Sequence, residues 1–315
     1  CIFINIKWEW EWLSFSLLKK SIMSIFRSYK TYVFLTSVLM LFSGVSHACN
    51  KAQDTSRITV AGGSITEIIY ALGQEEKLIA VDITSNFPEQ AKNLPSIGYV
   101  RALSAEGVLS LAPSLILGEN DMGPAAVMEQ LARVGIDIKI IPEENTATGI
   151  IDKVSCVASI LDMTEFEKDL VLTELKNEVN DLQNIVTENE NNPKKVMFIL
   201  GMESGSPTVG GIGTSADGFI KMTGGINVMS SFEGWKPVST ESIIEASPDF
   251  IIISNRGLSS FKTVEKLGQH PTLVFTPASK ENNIIAMDGM AMLGFGPRTI
   301  SSAKEVALRY ISENE

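Results

Sequence analysis

The chain has 315 residues, enough for about two domains of ordinary size. With 44% hydrophobic and 20% charged residues, it has a globular composition, which excludes a disordered or fibrous chain. A formal net charge of −11 disfavours partners that are polyanions, such as nucleic acid and anionic lipid.

Residues 23–48 have the pattern of a secretory signal peptide. Basic residues precede an apolar run from about residue 31 to 45, and the small residues Ser46 and Ala48 come just before a cleavage point after Ala48. The run is shorter than the roughly 20 residues that a spanning helix needs. We therefore assign residues 1–48 to an upstream extension and signal peptide and expect an exported protein.

Two cysteines follow the predicted leader. The thiol of Cys49, at the predicted mature N-terminus, suits lipidation, although Ser46 stands where a lipobox has leucine. Ordinary signal peptidase cleavage explains the same residues, so a periplasmic protein and a lipoprotein anchored through Cys49 both remain open. Cys156 lies on an apolar helical stripe, typical of a buried cysteine. A Cys49–Cys156 disulfide fits an oxidising compartment, but no spacing rule supports it.

Strands and helices alternate along the first half of the mature chain. Residues 57–73 predict a strand, a glycine turn and a helix, and residues 77–84 predict a second strand. Further strands at 113–118 and 137–142 flank a helical pattern at 123–135. Such alternation is typical of a parallel α/β sheet.

Residues 164–190 predict one long helix, because strong helix formers run through them without glycine or proline. A second α/β run follows, with strands near 196–201, 247–254 and 283–289, a helix near 216–225, and a last helix from about residue 298.

An internal repeat relates the two halves. "LSAEGVLSLAPSLIL" (103–117) and "VSTESIIEASPDFII" (238–252) share a serine, a glutamate two residues later and a proline before an apolar strand. We therefore predict an α/β protein of two Rossmann-like lobes with parallel sheets. The lobes are residues 49–163 and 191–315, the linking helix is 164–190, and a ligand cleft lies between the lobes.

The sequence lacks the residues that several kinds of reaction require. His270 is the one histidine after residue 48, so a histidine-rich metal site is not available. No G-x-S-x-G elbow occurs, and Ser64 is predicted to cap the following helix rather than to act as a nucleophile. The glycine-rich run at 209–218 lacks the Gly-Lys-Ser/Thr of a phosphate loop.

Tyr99 and Arg101 stand two residues apart in the loop "LPSIGYVRALS" (94–104). A phenolate suits ferric iron, and tyrosine can hold haem iron. A guanidinium within hydrogen-bonding reach favours the phenolate, and side chains two residues apart in an extended segment point the same way. The spacing by itself is also that of an ordinary half-buried tyrosine beside a solvated arginine, which is the commoner arrangement.

Three motifs carry a resemblance to a known family. "LPSIGYVRALSAEGVLSLAPSLIL", "KPVSTESIIEASPDFIII" and "DGMAMLGFGPR" resemble motifs of periplasmic haem-binding proteins of bacterial ABC importers, in the wider class III group that carries cobalamin and siderophores. The likeness runs from about residue 57 to the C-terminus. It implies one ferric haem in the cleft, with Tyr99 as axial iron ligand, Arg101 as its partner, and Arg256 approaching from the second lobe.

One departure affects the iron. Some members add a histidine ligand from the second lobe, where this chain has Met202. Iron held by Tyr99 alone is then the simpler expectation; Met202 is either a sixth ligand or a packing residue, and thioether matches ferric iron poorly. In related proteins Glu106 and Glu241 correspond to acids that engage permease arginines. The other interpretation of both acids is that they complement the dipoles of their helices.

The sequence thus predicts a monomeric, non-enzymatic haem carrier that works with an ABC permease and its ATPase. Met290, Met292 and Phe295 are either walls of the haem site or core. The long linking helix predicts small lobe motion. A carrier of cobalamin or a ferric siderophore on the same fold is the alternative, and a secreted hydrolase using Ser64 is a further one.

Overall fold

The computed structural model of the protein describes residues 49–203 and 205–312. The predicted upstream extension and signal peptide, residues 1–48, lie outside the described residues. The described residues belong to one compact unit. Across the described segments, no helix is both long enough and apolar enough to cross a membrane.

The first half of this unit builds a four-stranded sheet in the order β2-β1-β3-β4. Its strands are β1 Ile58–Ala61, β2 Leu78–Val81, β3 Leu115–Gly118 and β4 Asp137–Ile140. Its helices are α1 Gly63–Ala71, α2 Ala105–Ser110, α3 Ala125–Arg133 and α4 Ala147–Ile160. All three strand pairings are parallel, which confirms the predicted alternation. The four strands therefore end at one common edge of the sheet.

A single helix, α5 Glu165–Glu188, connects the two sheets and confirms the predicted long helix. It begins with a capping box, in which the Thr164 hydroxyl accepts from the Glu167 amide and the Glu167 carboxylate accepts from the Thr164 amide.

The second half builds a six-stranded sheet, in which β10-β9-β5-β6-β8 follow one another and β7 pairs with β5. The strands are β5 Lys195–Glu203, β6 Ser206–Gly210, β7 Ile226–Asn227, β8 Trp235–Pro237, β9 Phe250–Ser254 and β10 Ile284–Met287. The helices are α6 Ser215–Met222, α7 Thr240–Ala246, α8 Asn255–Leu258, α9 Val264–Gly268, α10 Pro277–Lys280, α11 Gly289–Leu293 and α12 Pro297–Ser312.

This second sheet corrects the prediction of a purely parallel one. Strands β10, β9, β5 and β7 pair in parallel, but β6 pairs antiparallel with both β5 and β8. Only two residues separate β5 from β6, which suffices for a hairpin but not for the crossover that parallel pairing requires.

The internal repeat corresponds to a repeated structural unit. In each copy a serine caps a short helix, which leads to a parallel strand: Ser104 caps α2 before β3, and Ser239 caps α7 before β9. Both serines accept a hydrogen bond from the amide three residues later, as N-cap side chains do.

The largest apolar core is shared by the two halves. Val196 and Phe198 of β5 face it together with Val60 of β1, whereas the alternating Met197 and Ile199 face a separate cluster on the other side of the second sheet. This is the two-residue period of a strand that is buried on both faces. Helices α5 and α12 add apolar residues to the shared core, so it continues from one sheet to the other.

A disulfide joins Cys49 to Cys156 on α4. The segment after Cys49 is also held by a hydrogen bond from the Ala52 amide to the Ile160 carbonyl, 3.0 Å long. Cys156 is buried, as predicted, but it is paired rather than a free thiol. Since one sulfur cannot form both a disulfide and the thioether of a lipid anchor, this pairing and lipidation of Cys49 exclude each other within one molecule.

Candidate functional site

Tyr99 lies on a loop at the edge where the parallel strands of the first sheet end. Residues 95–98 run beside the end of β2, held by hydrogen bonds from the Ile97 amide to Val81 and from the Ile83 amide to Gly98. Gly98 has φ +90°, a conformation that favours glycine, and it turns the chain outward. Tyr99 is 38% exposed, while the next residue, Val100, is buried and anchors the loop.

Tyr99 and Arg101 are in direct contact. Nη1 of Arg101 donates a hydrogen bond of 2.7 Å to Oη of Tyr99, and the guanidinium carbon lies 5.8 Å from the ring centre. The two side chains leave the same side of the loop, with Val100 turned inward between them. The two side chains are therefore in contact, and Arg101 places a positively charged hydrogen-bond donor on the phenol oxygen of Tyr99.

Asp121, which the sequence did not single out, binds the other edge of the same guanidinium. Its Oδ2 accepts from Nε of Arg101 at 2.7 Å and lies 2.5 Å from Nη2. Asp121 follows β3 by three residues, on the loop adjacent to that of Tyr99. An acidic residue just beyond the carboxyl end of a central parallel strand was the available signal, because such ends meet at ligand sites.

Met290 brings the second half of the chain to this edge. Its Cε packs into the space left by two glycines: a β-carbon would lie 2.9 Å from it at Gly63 and 2.8 Å from it at Gly294. The same β-carbon at Gly63 would also meet the Thr84 carbonyl oxygen at 2.6 Å. Met290 is half-buried at this contact and remains a candidate wall residue, whereas Met292 and Phe295 are fully buried and belong to the shared core.

Beneath the edge lies a buried polar network around Lys153 of α4. Its Nζ donates to Oγ of Ser64 at 2.7 Å and to the Gly294 carbonyl at 3.2 Å, and lies 3.1 Å from a carboxylate oxygen of Glu143. Ser64 in turn donates to Glu119 at 2.8 Å. Burial raises the pKa of Glu119 to about 7, although Lys153 opposes the shift.

This network corrects the predicted role of Ser64. The N-cap of α1 is Gly62, so Ser64 lies inside the first helical turn, and its hydroxyl joins the network instead of capping the helix. Ser64 is 1% exposed, and its hydroxyl is used by Lys153 and Glu119. That burial counts against the hydrolase alternative, because a nucleophile must reach its substrate.

A second polar bridge between the halves centres on Arg298 at the start of α12. Its Nη2 binds the buried carboxylate of Glu67 on α1 and lies 3.2 Å from Asp288. The guanidinium also stacks over the ring of Phe87, with 3.8 Å between its carbon and the ring centre. Burial raises the pKa of Glu67, partly offset by Arg298. With Lys153 and Met290, this bridge holds the two halves together at one place.

Arg256 and Met202 have different surroundings. Arg256 lies in α8, directly after β9, is exposed, and forms no ion pair within residues 49–203 and 205–312. Met202 is opposite Pro207 in the β5–β6 hairpin and packs against the apolar cluster of the second sheet. This placement favours packing over iron ligation for Met202.

His270, through Nδ1, accepts a hydrogen bond from the Thr272 amide and packs its ring against Phe261.

Glu106 and Glu241 are both exposed in the first turns of α2 and α7. Hydrogen bonds from its own amide and from Ser239 lower the pKa of Glu241, in keeping with a carboxylate at a helix start. Among the residues described, no cluster of three or more histidine, cysteine, aspartate or glutamate side chains is arranged to hold a metal ion.

Comparisons with known proteins agree on the fold. A family described as "Periplasmic binding protein" matches residues 58–291. The periplasmic heme-binding protein RhuT from Roseiflexus sp. RS-1, solved in its apo form, superposes with a TM-score of 0.77 at 32% identity, over 83% of this chain and 100% of that one. The periplasmic heme-binding protein HutB of Vibrio cholerae superposes with a TM-score of 0.73 at 35% identity, over 82% and 99% of the two chains.

Sequence similarity also extends to a protein that is named for a different ligand. A vitamin B12-binding protein of Photorhabdus laumondii is 27% identical over 271 residues, which cover 86% of this chain and 92% of that protein. The chain is thus similar to proteins named for heme and to a protein named for vitamin B12.

Proposed function

The chain belongs to the periplasmic binding protein family, whose members serve ABC importers, and we propose that it carries ferric haem to such an importer. The haem occupies a cleft between two lobes, residues 49–163 and 191–315, joined by α5. Tyr99 is the axial iron ligand, and Arg101 stabilises its phenolate form. The contact between the Tyr99 phenol oxygen and Arg101 is the observation that carries this proposal.

The contact supports haem because of what each ligand requires. Ferric haem has an open axial position, and an exposed phenolate is a suitable oxygen donor for it. The cobalt of cobalamin brings its own axial ligand, so a cobalamin carrier does not need an anionic oxygen ligand from the protein. Cobalamin stays the second candidate, because relatives of this chain bear its name. A ferric siderophore also satisfies its iron with its own oxygens.

The remaining groups have assigned roles in this proposal. Arg256 supplies an exposed positive charge from the second half, which suits a haem propionate. Met290 forms part of the apolar wall, and Met202 packs against the apolar cluster of the second sheet, so iron keeps one protein ligand. The polar bridges at Lys153 and Arg298 restrict lobe motion on binding.

Transport requires docking on the permease and its ATPase. Glu106 and Glu241 are suited to this contact, because each is exposed at the start of a repeated helix, one in each half of the chain. In this proposal the carrier is monomeric, has no enzymatic activity, and acts in the periplasm without a lipid on Cys49.

A hemin titration of the protein from residue 49 onward, followed by absorbance, tests the proposal. The wild type is expected to give a saturable new spectrum at one hemin per chain. Tyr99→Phe should weaken hemin binding by at least about a hundredfold, since loss of groups that merely support a metal ligand already costs 10- to 100-fold. Tyr70→Phe, a tyrosine of α1, is the matched control. Saturable binding of cyanocobalamin with no response to hemin would establish the second candidate instead.

A further inference from the structure

Asp121 completes a chain of three polar side chains that ends at the Tyr99 phenol oxygen. Its carboxylate takes the Nε and Nη2 edge of Arg101, which leaves Nη1 directed at Tyr99. A guanidinium presents its donors in a fixed plane, so fixing one edge fixes the direction of the remaining donor.

The fold holds Asp121 in place before any ligand arrives. The loop after β3 is bonded to the Tyr99 loop through Gly123, whose amide donates to Val100 and whose carbonyl accepts from Leu103, both at 2.9 Å. The Met122 side chain, between Asp121 and Gly123, is buried. The backbone segment that carries the Asp121 carboxylate is therefore hydrogen-bonded in a fixed position relative to the loop of Tyr99.

Arg101 needs such an anchor. Its side chain is 61% exposed, and an exposed arginine has many rotamers available. A surface ion pair contributes little to stability, so folding alone gives no strong reason for this contact.

We propose that Asp121 is a positioning residue for the iron ligand: it holds Arg101 so that Nη1 donates to the Tyr99 phenolate. This inference rests on the proposed haem function.

The positioning role and a bare charge effect predict opposite results. Haem brings two anionic propionates, so removing a nearby carboxylate would tighten binding if charge alone mattered. If Asp121 acts by holding Arg101, its removal weakens binding, and it does so only while Arg101 is present.

Two measurements on the protein from residue 49 onward test the inference. The first needs no haem: in protein labelled with ¹⁵N-arginine, the Nε–H signal of Arg101, identified by its loss in Arg101→Lys, should be protected in the wild type and lost to exchange in Asp121→Asn. The second is hemin affinity in a double-mutant cycle. Arg101→Ala should raise the Kd roughly tenfold, and Asp121→Asn roughly three- to fivefold.

The double variant should bind no more weakly than Arg101→Ala, because the Asp121 effect passes through Arg101. Glu129→Gln removes a similar exposed acid, paired with Arg133 on α3, and should leave the Kd unchanged. Hemin binding that is unchanged or tighter in Asp121→Asn, or additive losses in the double variant, would overturn the inference and leave the proposed function intact. A wild type that binds no hemin would overturn both.

Discussion

Reducing the Cys49–Cys156 disulfide should lower the free energy of unfolding by about 5 kcal/mol. The two cysteines are 107 residues apart, and the loop-entropy relation gives about this value for a loop of that length. Because natural disulfides contribute about 2–5 kcal/mol when removed, this figure is the upper end of the expectation. After reduction, the segment around Cys49 is held only weakly. Its remaining contacts are the hydrogen bond from Ala52 to Ile160 and the exposed ion pair of Lys51 with Asp162.

Urea unfolding of the protein from residue 49 onward, followed by Trp235 fluorescence with and without dithiothreitol, measures the effect. With a urea dependence of about 3 kcal/mol per molar, the midpoint should fall by roughly 1.7 M on reduction. The Cys49→Ala/Cys156→Ala variant should unfold near the reduced midpoint and ignore the reductant. An unchanged wild-type midpoint, after reduction has been verified by thiol titration, would refute the reasoning.

The same thiol titration separates the two predicted fates of Cys49. Protein exported with its leader, then unfolded without reductant, should show no free thiol if the disulfide is present. A lipid on Cys49 would leave Cys156 as one titratable thiol. The number of titratable thiols therefore distinguishes a disulfide-bonded protein from one that carries a lipid on Cys49.

Three further outcomes follow from the buried network and from the exposed acids. Lys153→Met should destabilise the fold by about 3 kcal/mol in urea unfolding, because it leaves buried acceptors without their cation, while Lys304→Met, which breaks an exposed ion pair, should cost less than about 1 kcal/mol. Because burial raises the pKa of Glu119 from 4.5 to about 7, the folded state keeps a proton that the unfolded state releases; stability should fall as pH rises through this window by up to about 3 kcal/mol. Glu119→Gln should flatten that fall in thermal melts taken from pH 4.5 to 8, and an unaltered slope would contradict the assignment. Charge reversal at Glu106 and Glu241 together should cut haem-stimulated ATPase activity of the reconstituted importer by roughly tenfold with unchanged hemin affinity, and full stimulation would contradict docking through these acids.

Much of the fold follows from local pattern. Apolar runs and the glycine turn gave β1 and α1, and an uninterrupted stretch of helix formers gave α5, because these features depend on neighbouring residues. The antiparallel β6 and β8 were missed, since β6 has five residues and β8 has three, too few for a clear alternating pattern.

The contacts of the site also divide into local ones, which the sequence can predict, and distant ones, which it cannot. Tyr99 and Arg101 are two residues apart, so the sequence could anticipate their contact. Asp121 reaches Arg101 through the pairing of two loops 20 residues apart, which no local pattern reports. The roles of Ser64 and Cys49 depend on Lys153 and Cys156, which are more distant still along the chain.

The most direct test of the central claim is the resonance Raman spectrum of the ferric hemin complex, excited in a phenolate-to-iron charge-transfer band. Tyr99 as iron ligand predicts phenolate modes that shift when the protein carries ring-labelled ¹³C-tyrosine and that vanish in Tyr99→Phe. Tyr70→Phe should leave those modes in place. A spectrum without tyrosine-sensitive modes, or one identical in Tyr99→Phe, would contradict the claim.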